Sequence, residues 1–243
     1  MAARLNQRVV AFGCADKSLR ESWDENRKKD VANFPSPFRM LMLGPPNSGK
    51  STLAKNLVVH QEPPFDEVYV CHEDAGATRE YDDLEPTAML GEIPGLDFWD
   101  SLPTTEEDPE TGEERPIKRL VIVDDIEYVS ANKQRLKDLA ILMRFASSHK
   151  NLSVIVSHQS FFDLPVIAKK VADVFVVWRP RAKNELALIE NRTGLPSGAL
   201  TAIFDKYGRD ARDSVCVDAT RGSPMPLRWN IWTPLPCLTG LAS

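Results

Sequence analysis

Cysteine is scarce in this chain of 243 residues. Its four cysteines, Cys14, Cys71, Cys216 and Cys237, lie too far apart for the paired spacing of a zinc ribbon or a dense disulfide framework. Reduced, mostly buried thiols in a cytosol-like compartment are expected. Long apolar runs are also missing. No stretch approaches the ~20 apolar residues of a membrane span, and the opening MAARLNQRVVAFGC contains no run long enough for a secretion signal. A soluble protein with no membrane span is the expectation. Nor is there an excess of positive charge. At a net charge of -5, any grip on nucleic acid would need a local basic patch. Internal repeats and low-complexity segments are absent. What remains is 42% hydrophobic and 27% charged, the composition and size of one large α/β domain with at most a small appendage.

Three regions differ in character along the chain. Residues 1–38 form an N-terminal arm of mixed composition, with a short apolar run at 9–12, a charged run at 22–30 and a turn-rich entry Asn33-Phe34-Pro35-Ser36-Pro37. Residues 39–180 carry the α/β rhythm. Strands are expected at 39–43, 67–72, 119–125, 152–159 and 173–180, the apolar ones reading as buried on both faces. Helices are expected at 51–60, 131–148 and 164–171, with Leu53, Leu57 and Val58 on one side of the first, and Leu136, Leu139, Ala140 and Met143 at helical spacing in the second. The acidic stretch 104–116 reads as an exposed hairpin or loop. Residues 181–243 read as a C-terminal extension packed on the core, with a helix near 197–206, a strand at 214–218 and an extended tail containing Trp229, Trp232, Pro234 and Pro236. Strands separated by helices imply a mainly parallel sheet covered by helices on both faces.

Between the first strand and the first helix lies Gly44-Pro45-Pro46-Asn47-Ser48-Gly49-Lys50-Ser51, which fits G-x-x-x-x-G-K-[ST] at every fixed position. Gly44 and Gly49 are expected to allow backbone angles forbidden to other residues, so that successive N–H groups face one concavity and cradle a phosphate with the helix dipole. Lys50 would reach the β- and γ-phosphates of ATP, Ser51 would ligate Mg2+, and Thr52 could add a hydroxyl near the α-phosphate. Asp124, at the end of an apolar strand, is the second expected metal residue. Asp125 would orient or deprotonate the attacking water, with Glu127 as its substitute; alternatively, Asp125 caps the next helix. Gln159, at the end of the strand 152–157, can donate to a phosphate and accept from water, whereas His158 beside it reads as structural.

Taken in order, GPPNSGKST, RLVIVDD and HKNLSVIVSHQSFFDLP resemble the viral genome-packaging ATPases of the FtsK–HerA-like family, of the poxvirus and double-jelly-roll virus type. The resemblance covers roughly residues 38–180, with Asp124-Asp125, Gln159 and Phe161-Phe162 standing for the family's parts. It implies a RecA/FtsK-like P-loop NTPase fold and a Mg-dependent ATPase acting as a homo-oligomeric ring. It further implies double-stranded DNA driven into a preformed capsid, capsid or portal vertex proteins as partners, and a place in the infected host cell's cytoplasm or with the virion. A ring ATPase also needs an arginine facing the neighbouring subunit's γ-phosphate. Arg144 is the first choice, with Arg179, Arg181 and Arg192 as rivals. Lys133, Arg135 and Lys137, or Arg179, Arg181 and Lys183, are the expected phosphate contacts to DNA. The alternatives are a P-loop nucleotide kinase or other small-molecule phosphotransferase, and a nucleotide-gated interaction protein. The strand ending in Asp124-Asp125 and the Gln159 strand speak against both.

Overall fold

The computed structural model describes residues 34–108, 111–130 and 133–235. The run expected at 9–12, the charged run 22–30, Cys14 and Cys237 lie outside them. The run RMLML forms β1 (Arg39–Leu43), and α1 (Lys50–Val59) follows the glycine-bounded loop. The strands expected at 67 and 119 are β2 (Glu67–His72) and β6 (Arg119–Asp124). Between them come β3 (Ala88–Leu90), α2 (Leu96–Ser101) and a hairpin of β4 (Thr105–Glu107) and β5 (Glu114–Pro116). Helix α3 (Lys133–Ile141) runs through a π-helical turn (Leu142–Ala146) into a last α-helical turn (Ser147–His149). Then follow β7 (Leu152–His158), α4 (Val166–Val171), β8 (Val174–Trp178), α5 (Lys183–Thr193) and α6 (Ala199–Tyr207). The described chain closes with β9 (Ser214–Asp218), β10 (Leu227–Trp229) and β11 (Thr233–Pro234).

Nine strands form one sheet in the order β11-β10-β9-β8-β1-β7-β6-β2-β3. From β8 across to β3 every pairing is parallel, and β9, β10 and β11 add antiparallel strands. Successive side chains of a strand point to opposite faces, so continuous apolar runs such as Leu120-Val121-Ile122-Val123 fill two cores at once. One face takes Met40, Met42, Leu120, Ile122 and Ile155 against Ala54 and Leu57 of α1. The other takes Leu41, Val121, Val123, Val154 and Val156 against Trp99 of α2, Leu139, Leu142 and Met143 of α3 and its π turn, and Ile203 of α6. Both faces are covered, unequally among the described residues: α1 is joined on the face that carries the loop 44–49 by Tyr81 and Leu84. Cys71 and Cys216 are buried free thiols whose burial pushes each up to about 12, so neither is a nucleophile at neutral pH.

Beyond residue 180 the chain does not lie on the core as an extended tail; it enters the sheet. β9 pairs with β8, Val176 opposite Cys216, and β10 and β11 widen the sheet further. Helix α5 was not foreseen, because Glu185 and Glu190 interrupt its apolar pattern while themselves being buried. Glu190 accepts the Gly198 and Leu200 N–H groups, each at 2.8 Å, and so satisfies the open donors at the start of α6. The left-handed Gly194 (φ 75°) stops α5.

The widened edge is held by a buried ion pair. Arg228 NH2 donates to Asp218 Oδ2 at 3.2 Å, and both side chains are fully enclosed. Ser223 Oγ also donates to Asp218 Oδ2 at 2.7 Å, and the Arg228 guanidinium lies 4.4 Å from the Phe34 ring centre. Removing one member strands the other in a dry environment, at a cost of about 3–5 kcal/mol. Asp218→Ala is therefore expected to lower the urea unfolding free energy by about that amount. A loss below about 1 kcal/mol, the level of an exposed pair, would mean that the pair does not hold the edge.

Candidate functional site

Parallel pairing brings the carboxyl ends of β1, β7 and β6 to one edge of the sheet, with Leu43 opposite His158 and Asp124 opposite Ser157. The loop 44–49 leaves β1 there. Its first N–H, on Gly44, donates to the His158 carbonyl at 3.2 Å, tying the loop to the end of β7. Gly49 has φ 98° and Asn47 φ 61°, so two left-handed residues turn the loop. Gly44 differs from expectation: it is not in the left-handed region. A Cβ there would sit 2.8 Å from Ser48 Oγ and 2.8 Å from Trp178 Cβ, so Gly44 is required by close approach.

Lys50 opens α1 and is buried. Its Nζ donates to the Gly44 and Pro45 carbonyls at 2.8 and 3.0 Å, folding the side chain over the loop. Burial lowers its pKa from the ordinary lysine value, and the charges of Asp124 and Asp125 oppose that shift. Ser51 Oγ donates to Asp124 Oδ2 at 3.3 Å, and Tyr81 OH donates to the same oxygen at 2.6 Å. Tyr81 is fully buried, and burial together with the Asp124 charge pushes its hydroxyl far above the usual tyrosine range. No sequence signal marked Tyr81, which lies in the weakly patterned stretch after β2.

Asp125 has φ 50° and is exposed, its Oδ2 3.9 Å from His72 Nε2. It does not cap the following helix, since α3 starts eight residues later, at Lys133. The Glu127 side chain turns elsewhere: its Oε1 accepts the Val129 N–H at 2.5 Å, and it is not among the residues lining the cleft. Gln159 is exposed at the cleft, just past β7. The turn behind it is anchored by α5, because Glu185 Oε1 accepts Ser160 Oγ at 2.6 Å and the Phe161 N–H at 3.2 Å. His158 faces the opposite side from Ser157. Its ring lies 5.6 Å from that of Tyr128, and its Nδ1 is 3.0 Å from the Ser160 carbonyl, a structural setting.

A cleft of ≈ 710 Å³ runs over these groups, within the range of nucleotide-sized sites. Pro46, Asn47, Ser48, Gly49, Lys50, Ser51 and Thr52 line one end with Asp124, Asp125 and Gln159. Leu53, Asn56, Trp178, Arg212, Ser214, Asn230 and Trp232 continue it. The last four come from the segment after residue 180 and were not foreseen as site residues. Ser51 Oγ and Asp124 Oδ2 are hard oxygen donors side by side, which fits a magnesium ion completed by phosphate oxygens and water. The hydroxyls of Ser48 and Ser157 are buried near them without hydrogen-bond partners among the described residues. No cluster of three or more His, Cys, Asp or Glu that could hold a metal is found among the described residues.

The arginines separate by environment. Arg179 is ion-paired with Asp205 and lies 5.7 Å from the Phe204 ring centre. Arg192 donates to the Lys169 carbonyl at 2.6 Å and to that of Lys170, closing the end of α4. Arg144 is exposed on the π-helical turn, in a shallow groove with Lys137, Ala140, Ile141, Phe145 and His149, and away from its own cleft. Arg135 is engaged by Glu73 Oε1 and the Glu127 carbonyl.

The structure is similar to that of the genome packaging NTPase B204 from Sulfolobus turreted icosahedral virus 2 in complex with sulfate. The TM-score is 0.50 at 17% identity, over 79% of this chain and 96% of that one. The ATP-gammaS complex of the same protein matches with a TM-score of 0.48 at 17% identity, over 79% and 96%. The N-terminal domain of zonular occludens toxin from Neisseria meningitidis matches with a TM-score of 0.42 at 13% identity, over 76% and 85%. At such identities the likeness is one of fold alone, a mainly parallel sheet covered by helices. No protein-family model matches the sequence, and comparison with curated proteins finds no match.

Two outcomes follow from this geometry. The hydroxyl that Tyr81 gives to Asp124 is worth about 1–2 kcal/mol. Tyr81→Phe should therefore raise the magnesium concentration needed for half-maximal tripolyphosphate binding by roughly tenfold in calorimetry; an unchanged titration would remove Tyr81 from the site. Lys50 links stability and ligand binding to pH. Its folded pKa lies below the unfolded value of 10.5, so between the two the unfolded chain binds more protons and stability rises with pH. Over that same window the cleft loses its positive charge, and tripolyphosphate affinity should fall with rising pH before an ordinary lysine would deprotonate. Lys50→Arg should flatten that fall.

Proposed function

We propose that the chain is a Mg-dependent ATPase that acts as a homo-oligomeric ring and drives double-stranded viral DNA into a preformed capsid. The observation that carries the hydrolytic part is the meeting of Lys50, Ser51, Asp124, Asp125 and Gln159 along one cleft from three neighbouring strand ends. The N–H groups of 47–51 and the start of α1 would hold the β-phosphate, and Lys50 would swing from the loop carbonyls to the β- and γ-phosphates. Ser51 and Asp124 would hold Mg2+, which, when bound, neutralises charge on the phosphate oxygens. Asp125 is favoured over Glu127 as the group that orients the attacking water, because it faces the cleft while Glu127 is spent on its own turn. Gln159 would position the γ-phosphate and the water together, held in place by the Glu185 anchor.

The motor reading rests on the resemblance of 38–180 to the packaging ATPases and on the fold shared with B204, whose description names it a genome packaging NTPase. Arg144 is proposed as the arginine acting on the neighbouring subunit. A residue acting in trans must be exposed and absent from its own cleft, and Arg144 meets both conditions. Arg179 and Arg192 are occupied within the subunit. Partners on this reading are DNA phosphates and capsid or portal vertex proteins, in the infected cell's cytoplasm or the virion. None of the described helices is long and apolar enough to cross a membrane.

Wild-type protein should hydrolyse ATP with a rate raised by long duplex DNA, and Lys50→Ala should abolish turnover. Phosphate transfer to a nucleoside monophosphate in place of hydrolysis would make it a kinase. Loss of a trans arginine costs roughly 10³–10⁵ in kcat. Arg144→Ala should fail alone, yet partial activity should return on mixing with Lys50→Ala subunits, since each would supply what the other lacks. Full activity of Arg144→Ala alone would assign the role to another residue.

A further inference from the structure

The cleft is longer than the phosphate end requires. Its far end is walled on one side by α1, where Leu53 and Asn56 lie about 5 and 9 Å along the helix axis from Lys50. Trp232 lines the same cleft and is left 40% exposed. The turn that presents it is built at a cost. Asn230 and Ile231 both take left-handed backbone angles (φ 47° and 68°), the second a β-branched residue that rarely does so. The surroundings hold that turn firmly. Ile231 is 1% exposed in the core beside α1, and the Asn230 carbonyl accepts the Ser214 N–H at 2.7 Å while its amide donates to Asp213 at 3.2 Å. The Trp232 ring rests 5.8 Å from that of His60, at the end of α1.

We propose that Trp232 is the base-stacking platform of this site and takes the purine of the bound nucleoside triphosphate on the indole face that looks toward Leu53 and Asn56. The proposal rests on the reading of the loop 44–51 as a triphosphate cradle. The α-phosphate and the ribose would lie between the β-phosphate held by the loop and a base stacked there. The segment after residue 180 thereby becomes part of the nucleotide site.

The test compares two probes on the full chain by calorimetry with magnesium present: ATP, which has a base, and inorganic tripolyphosphate, which has none. Trp232→Ala should weaken ATP roughly tenfold, the usual scale of one lost base–aromatic stack, and leave tripolyphosphate unchanged. Trp232→Phe should restore most of the ATP affinity. Unchanged tripolyphosphate binding also certifies that the variants are folded. Equal losses on both probes, or no loss on either, would overturn the platform while leaving the phosphate cradle standing. Failure of the wild-type protein to bind tripolyphosphate at all would overturn the cradle reading, and the platform with it.

Discussion

A parallel sheet delivers the ends of its strands to a common edge, and here that constraint does most of the work of assembly. β1, β7 and β6 run side by side with matched register, so Leu43, His158 and Ser157, and Asp124 finish at the same height. No loop has to reach far to bring the loop 44–49, the Asp124 carboxylate and the Gln159 amide together. Because both faces of these strands are buried, the edge is also rigid. A shift of one residue in β7 would turn Ser157 away from α1 and put His158 beneath the loop.

On that edge the fold holds charges that are unfavourable without a ligand. Lys50 is buried against carbonyls, and Asp124 is enclosed with only two hydroxyl donors on one oxygen. Burial of this kind costs stability and makes the site ready for a polyanion with its cation. The segment after residue 180 stabilises the arrangement from outside. Trp178, at the end of β8, packs against Gly44 and donates its indole N–H to the Arg212 carbonyl at 2.9 Å, while Glu185 of α5 pins the turn behind Gln159. Cradle and polar amide are thus both braced by residues that come later in the chain than either.

The sequence made visible what is local and continuous. The strands at 39, 67, 119, 152, 174 and 214 are mostly apolar runs, and the residues of the loop 44–52 are contiguous, so a local window contains each of them. The elements missed are short or interrupted: β3 and β11 lack length for a pattern, and the buried Glu185 and Glu190 make α5 look like surface. Tyr81 reaches Asp124, and Arg212 and Trp232 reach the cleft, only through the topology of the sheet, which no local window contains. Gly44 is the instructive case. Its identity was anticipated for a reason of backbone angle, yet its neighbour is Trp178, far along the chain, and the real requirement is room.

The two margins of the sheet bear on assembly. Among the described residues, one ends in β3, three residues long, and the other in β11, two residues of which Pro234 has no amide hydrogen to offer. A long bare margin invites another copy to add its own strand and grow without limit. Margins this blunt deny such zippering its template. Copies of this chain that associate would then meet through side chains, contacts that can loosen and re-form more readily than a shared ladder of backbone hydrogen bonds.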